Sequence, residues 1–143
     1  MENLSNEPQE RRPHSTANTA HMSASARQNA AMILVGNVSQ RAAILIDDLA
    51  DTSNTITRAA KLLRKEGATH IYALVTHGVL SGDAIERINA SALDTVVVTN
   101  SVDQDEHTER CAKLEVLDVA PMFAEAIRRV HHGESLSVLF AHD

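Results

Sequence analysis

From residue 32 onward the chain alternates short apolar runs with segments of helical periodicity, and this alternation restricts its possible folds more than any other feature. Met32 to Val35, Ala42 to Ile46, Ile71 to Val75, Thr95 to Thr99 and Leu114 to Leu117 read as strands. Ile56, Ala59, Ala60 and Leu63 fall at i, i+3, i+4 and i+7, the spacing of a helix with one apolar face. Gly67 supplies its stop. A short helix is expected around Ala84, Ile85 and Ile88. Phe123, Ala126, Ile127 and Val130 repeat the helical spacing, with Pro121 suited to the first turn and Gly133 to the end. Leu136 to Phe140 resembles a last strand. Strands alternating with helices predict an α/β fold, a doubly wound and mostly parallel sheet.

Residues 1 to 30 do not follow this pattern. Leu4 is their only large aliphatic besides two methionines, and Ser, Thr, Asn, Pro and Ala fill most of the rest. Such a segment buries too little apolar surface to offset its conformational entropy, so it is expected to be a disordered tail or a loop remnant. The folded domain is expected over residues 31 to 143, and a chain of 143 residues suffices for one core but hardly for two. The formal charge of −6 and the absence of a long basic run argue against nucleic-acid binding. Apolar stretches are all under about ten residues, too short to span a membrane. The N-terminus has no apolar signal segment. Cys111 is the only cysteine, which excludes an internal disulfide and a thiolate metal cage. A cytoplasmic protein is the expectation.

The densest chemistry lies in "ILIDDLADTSNTIT", residues 44 to 57. The strand is expected to end at Ile46, and ligands of such sheets sit at the carboxyl ends of the strands. That rule puts Asp47 and Asp48 at the mouth of the sheet. The next helix is expected to begin near Thr55, and its first N–H groups are unpaired within the helix and carry partial positive charge. Thr52, Ser53, Asn54 and Thr55 are uncharged there, so an anion meets no carboxylate. Aspartates behind and uncharged donors in front fit a sugar phosphate, with hydroxyls on the carboxylates and phosphate on the helix start. A second reading is simple helix capping by Asp51, Thr52 or Thr55. A third is a divalent-metal pocket, which usually draws a further Asp and a Lys from later strand ends. Here those ends read Thr76-His77-Gly78 and Thr99-Asn100-Ser101.

These residues resemble a known family. "ILIDDLADTSNTI" looks like the ribose-5-phosphate loop of the ribose-phosphate diphosphokinases, the enzymes that make phosphoribosyl diphosphate, and shares the broad signature of type I phosphoribosyltransferases. "LLRKEGATHIYALVTHGVLSGDAIERIN", "VVVTNSV" and "EAIRRVHHGESLSVLF" each resemble consecutive pieces of the C-terminal half of that synthetase, so the likeness runs from residue 32 to 142. It implies that Asp47, Asp48 and Asp51 hold the ribose, with Mg2+ nearby, and that Thr52, Ser53, Asn54 and Thr55 cradle the 5-phosphate. The family usually has glycine where Asn54 stands, and Asn is the best non-glycine tolerator of a left-handed backbone. Ser135, Ser137 and Phe140 match a segment that forms part of a regulatory nucleotide or phosphate site in many members.

The resemblance also shows what this chain lacks. The family's first half supplies much of the ATP site and a magnesium-binding histidine, and nothing here matches it. "QERRPHSTANTAH" looks like the catalytic loop, with a continuation resembling the insertion of fungal members. On that register Arg11 takes the catalytic arginine position and Gln9 the lysine position, where glutamine offers no cation for charge stabilisation. Two functional readings follow. The chain is the ribose-5-phosphate-binding half of a synthetase, inactive alone, or it is a non-catalytic regulatory subunit in homo- or hetero-oligomers with synthetase subunits. A truncated or decayed duplicate is a third. His77, Cys111 and the His131-His132 pair read as structural, and Asp103, Asp105, Glu106 and His107 as a solvated loop.

Overall fold

A computed structural model of the protein describes residues 32–141. Four strands form one all-parallel sheet in the order β1-β2-β3-β4: β1 (Ala42–Ala50), β2 (His70–Gly78), β3 (Thr95–Thr99) and β4 (Leu114–Leu117). Their connections contain α1 (Asn54–Lys65), α2 (Ala84–Ala90) and α3 (Asp105–Arg110). The helix α4 (Ala120–His132) follows β4, and a 3₁₀ turn occupies Ser137–Phe140. The parallel α/β sheet with flanking helices is the fold class that the alternation implies.

Alternation along the strands sends Ile71, Ala73, Val75, Val96, Val98 and Leu114 to one face. There they form a buried core with Ile56, Ala60 and Leu63 of α1, Ala84, Ile85 and Ile88 of α2, and Cys111 just after α3. Cys111 is therefore a packing residue. Asp94 fixes the entry to β2 by accepting the Ile71 N–H at 2.7 Å and Nη2 of Arg64 at 2.9 Å. The Ile71 hydrogen bond, and then Arg64, hold its carboxyl below the usual range. Gln104, buried, donates to the Gly78 carbonyl at 2.7 Å and secures the other end of the strand.

The fold departs from the sequence reading in four places. Met32 to Val35 is not a strand: Ile33 and Val35 stand exposed, and only Leu34 packs against the core. Leu136 to Phe140 is not a strand either, because its last four residues coil into the 3₁₀ turn with no neighbour to pair with. Residues 105–110, expected as loop, form α3, an all-polar helix with no apolar periodicity to announce it. β1 runs four residues past Ile46, its pairing with β2 continuing to Ala50 opposite Gly78. Asp47 and Asp48 are thus strand residues, not loop residues.

Candidate functional site at the end of strand β1

Between Ala50, the last residue of β1, and Asn54, the first of α1, the chain turns in three residues. Ser53 makes the turn possible by adopting a left-handed backbone, φ 58°. The sequence reading placed that demand on Asn54. Asn54 instead opens the helix, and the strain rests one residue earlier, on a β-hydroxyl residue rather than the amide. Leu80, which follows β2, is also left-handed at φ 48° and donates its N–H to the Ala50 carbonyl at 3.1 Å. Two strained residues therefore flank the same strand end. Non-glycine residues in this region cost about 1 kcal/mol each and concentrate at functional sites.

Ser53 is the N-cap of α1 by position, yet its side chain caps nothing. Its Oγ is buried and has no hydrogen-bond partner, and the residue is 4% exposed. An unsatisfied buried hydroxyl costs about 1–3 kcal/mol, which a ligand oxygen would offset. The first turn of α1 carries no acidic residue, so its free N–H groups and dipole face an anion without competition. Capping by side chains does not account for this loop.

Asp47, Asp51, Thr52, Ser53, Asn54 and Thr55 line one cleft of about 180 Å³. Asp48 does not line it. Alternation turns Asp48 to the opposite face from Asp47, and it is exposed. Asp51 accepts a hydrogen bond from the Ser81 hydroxyl. Asn54 donates to Thr52 Oγ1 at 3.2 Å and accepts from Nη1 of Arg87, whose Nη2 is bound by Asp83. That pairing raises the Arg87 pKa and lowers that of Asp83. Ser81 and Arg87 escaped the sequence reading because they reach the loop across 30 and 33 residues of chain.

Asp47 also borders a second groove of about 190 Å³ along Ile46, Leu74, Val97, Leu117, Thr76 and Thr99. Its polar rim is tied together: Thr99 Oγ1 donates to the Thr76 carbonyl at 2.7 Å, and His77 Nδ1 lies 2.8 Å from the Ser101 hydroxyl.

A resident metal fits poorly. Asp47 and Asp48 point to different faces, Asp51 is engaged by Ser81, and no group of three or more His, Cys, Asp or Glu among the described residues converges on an ion. A magnesium ion here would take most of its ligands from a bound phosphate compound and water, as that ion commonly does.

The proposed regulatory segment stands apart. Ser135, Ser137 and Phe140 are exposed, with the two hydroxyls 2.8 Å from each other and Arg129 Nη1 donating to the Ser135 carbonyl at 3.1 Å. Arg11 and Gln9 lie outside the described residues.

The profile of the phosphoribosyl synthetase-associated domain matches residues 2–141. The chain belongs to that family. A relative from Schizosaccharomyces pombe, named ribose-phosphate pyrophosphokinase 2, is 54% identical over 110 residues, covering 77% of this chain and 34% of that protein. A solved structure, phosphoribosylpyrophosphate synthetase from Mycobacterium smegmatis, superposes with a TM-score of 0.66 at 40% identity, over 69% of this chain and 33% of that one. This member of the family therefore spans about a third of the length of either relative. No described helix is long and apolar enough to cross a membrane.

Proposed function

We propose that this chain binds ribose 5-phosphate in the cleft between β1 and α1 and is one half of a ribose-phosphate diphosphokinase site. The observation that carries this reading is the buried, partnerless hydroxyl of Ser53 beside a helix start free of carboxylates. The 5-phosphate accepts from the first N–H groups of α1 and from the hydroxyls of Thr52, Ser53 and Thr55. Asn54 is braced by Arg87 and keeps the turn in shape. Asp47 and Asp51 accept from the ribose hydroxyls, and Asp48 contributes charge from the opposite face of the strand.

In the complete reaction the 1-hydroxyl of the sugar attacks ATP, a diphosphate group moves to that oxygen, and AMP leaves. This chain's share is to hold and orient the acceptor. ATP and the cations that stabilise the moving diphosphate are assigned to the stretches of the relatives outside the matched third, with Arg11 the candidate within residues 1–143. Magnesium enters with the phosphate compounds and is assigned to no residue here. The protein works in the cytoplasm, and its residues from about 31 onward form the folded unit.

A second role, that of a regulatory subunit that associates with synthetase chains, is motivated by Gln9 at the lysine position of the catalytic-loop register, where it offers no cation, and by Asn54 at the family's usual glycine. Isothermal titration of the full chain with ribose 5-phosphate, with and without magnesium, tests the ligand. Saturable binding that Ser53→Ala weakens at least several-fold is the expected result. A folded sample that takes up no heat on titration overturns it. Ser135, Ser137 and Phe140 are proposed to bind a regulatory phosphate compound, to be checked by the same titration with ADP.

A further inference from the structure

Arg87 does not line the cleft between β1 and α1, yet two hydrogen bonds connect it to that cleft. It lies on α2 one turn after Asp83, and its Nη2 donates to the Asp83 carboxylate. Its Nη1 donates to Oδ1 of Asn54, 33 residues away along the chain. Its Nε is buried and donates to nothing among the described residues. The guanidinium is thus anchored through its two Nη groups, to Asp83 on its own helix and to Asn54 at the start of α1.

A guanidinium carries donors and no acceptor. Oδ1 of Asn54 is therefore the atom that must face Arg87, which decides the orientation of the amide and turns its NH2 the other way. That NH2 donates to Thr52 Oγ1 at 3.2 Å. Thr52 spends a lone pair on it, and among the described residues its own O–H has no acceptor. Both bonds run in one direction, from Arg87 to Asn54 and from Asn54 to Thr52. An acceptor in such a chain becomes a better donor at its other end, and a cation at the head strengthens the effect. The chain ends on a hydroxyl that lines the cleft and has a proton to give.

We propose that Arg87 and Asn54 are positioning residues that act through Thr52, setting its hydroxyl to donate to a bound phosphate group. The inference rests on the sugar-phosphate reading of the cleft and gives it a recognition rule. At Thr52 the site selects a group whose oxygens only accept, as those of a phosphate monoester dianion do, over a hydroxyl or amide that must also donate. The cation stays outside the cleft, so the ligand meets a polarised hydroxyl and not a salt bridge. Asp83 takes the second Nη of Arg87 and aims the first at Asn54.

Calorimetric titration of the full chain with ribose 5-phosphate and, separately, with inorganic phosphate tests it in two backgrounds. Thr52→Val removes the hydroxyl at nearly constant shape and weakens binding of both probes by about tenfold. Arg87→Met and Asn54→Ala each weaken it by about three- to tenfold in the unmodified chain, and by less than about twofold once Thr52 is Val. Arg87→Lys, still a cation with donors only, recovers part of the loss. Denaturant titration identifies the variants that fold, and where Arg87→Met does not, Asn54→Ala in the two backgrounds carries the test. Losses that add in full to that of Thr52→Val belong to residues that merely brace the turn, and they overturn the inference. Affinities unchanged by Arg87→Met and Asn54→Ala overturn it as well, and leave the sugar-phosphate reading standing. Inorganic phosphate that binds as tightly as ribose 5-phosphate overturns the sugar reading, while the two-background comparison still decides this one. An unmodified chain that binds neither probe overturns both.

Discussion

Ile71, Ala73, Val75, Val96 and Val98 share four strands with Ile44, Ile46, Leu74 and Leu117, yet the first set is buried under α1 and α2 and the second meets solvent. Both sets are aliphatic, although the open face also carries Asp48, Tyr72, Thr76, Thr95 and Glu115 among them. They differ in what the chain places above them, since every connection from β1 to β4 runs over the same side. The covered face holds the fold together and shapes the β1–α1 turn. On the open face aliphatic side chains of the same kind are left exposed.

The largest contrast is expected in stability. Ile71→Ala or Ile88→Ala on the covered face opens a cavity in a packed core and costs about 2–5 kcal/mol. Ile46→Ala on the open face changes stability by less than about 0.5 kcal/mol. Denaturant titration of the variants measures both. Equal losses would erase the distinction between the faces.

Gly78→Ala probes the covered side more finely. An added Cβ would lie 2.9 Å from Val98 Cγ1 and 3.2 Å from Val98 Cβ, so overpacking costs about 1–3 kcal/mol. Thermal unfolding reports it.

At the turn itself, stability and binding part ways. Ser53→Gly relieves the left-handed strain and removes a buried unsatisfied hydroxyl, so it stabilises by about 1 kcal/mol. It also removes a phosphate donor, and titration with ribose 5-phosphate then shows weaker binding. A variant that is both less stable and unchanged in affinity would refute the role given to Ser53.

The smallest effect concerns pH on α4. Arg128, and then Arg129, lower the Glu125 carboxyl from 4.5 to about 2, and Arg128 lowers Glu134 as well. A depressed carboxylate pKa stabilises above its unfolded value, and that contribution fades as pH falls from about 4.5 toward 2. The cluster is exposed, so the loss is slight and screened by salt. The protection of α4 amides relative to their intrinsic exchange rate should fall over that window while the core amides of β2 stay protected.

Much of this was legible in the sequence, for physical reasons that differ by element. Thr95–Thr99 carries three valines between threonines, Leu114–Leu117 lies between Lys113 and Asp118, and both strands have those bounds. Pro121 and Gly133 bracket α4, with Gly133 left-handed at φ 70° as its C-cap. The remaining elements depend on partners that local pattern does not reveal. Met32 to Val35 has strand composition and no neighbour. β1 continues through two aspartates because β2 lies beside it. α3 forms without an apolar stripe. In the loop, the order of carboxylates and uncharged donors was readable, whereas the left-handed residue, the Ser81 and Arg87 contacts and the turning away of Asp48 come from tertiary structure.

An amide-resolved NMR titration of the full chain with ribose 5-phosphate tests the central claim most directly. The expected result is saturable shifts at Thr52, Ser53, Asn54 and Thr55, with smaller ones at Asp47 and Arg87 and none along α4. Shifts confined to α4 or the open face, or none in the loop at saturating sugar phosphate, would contradict it.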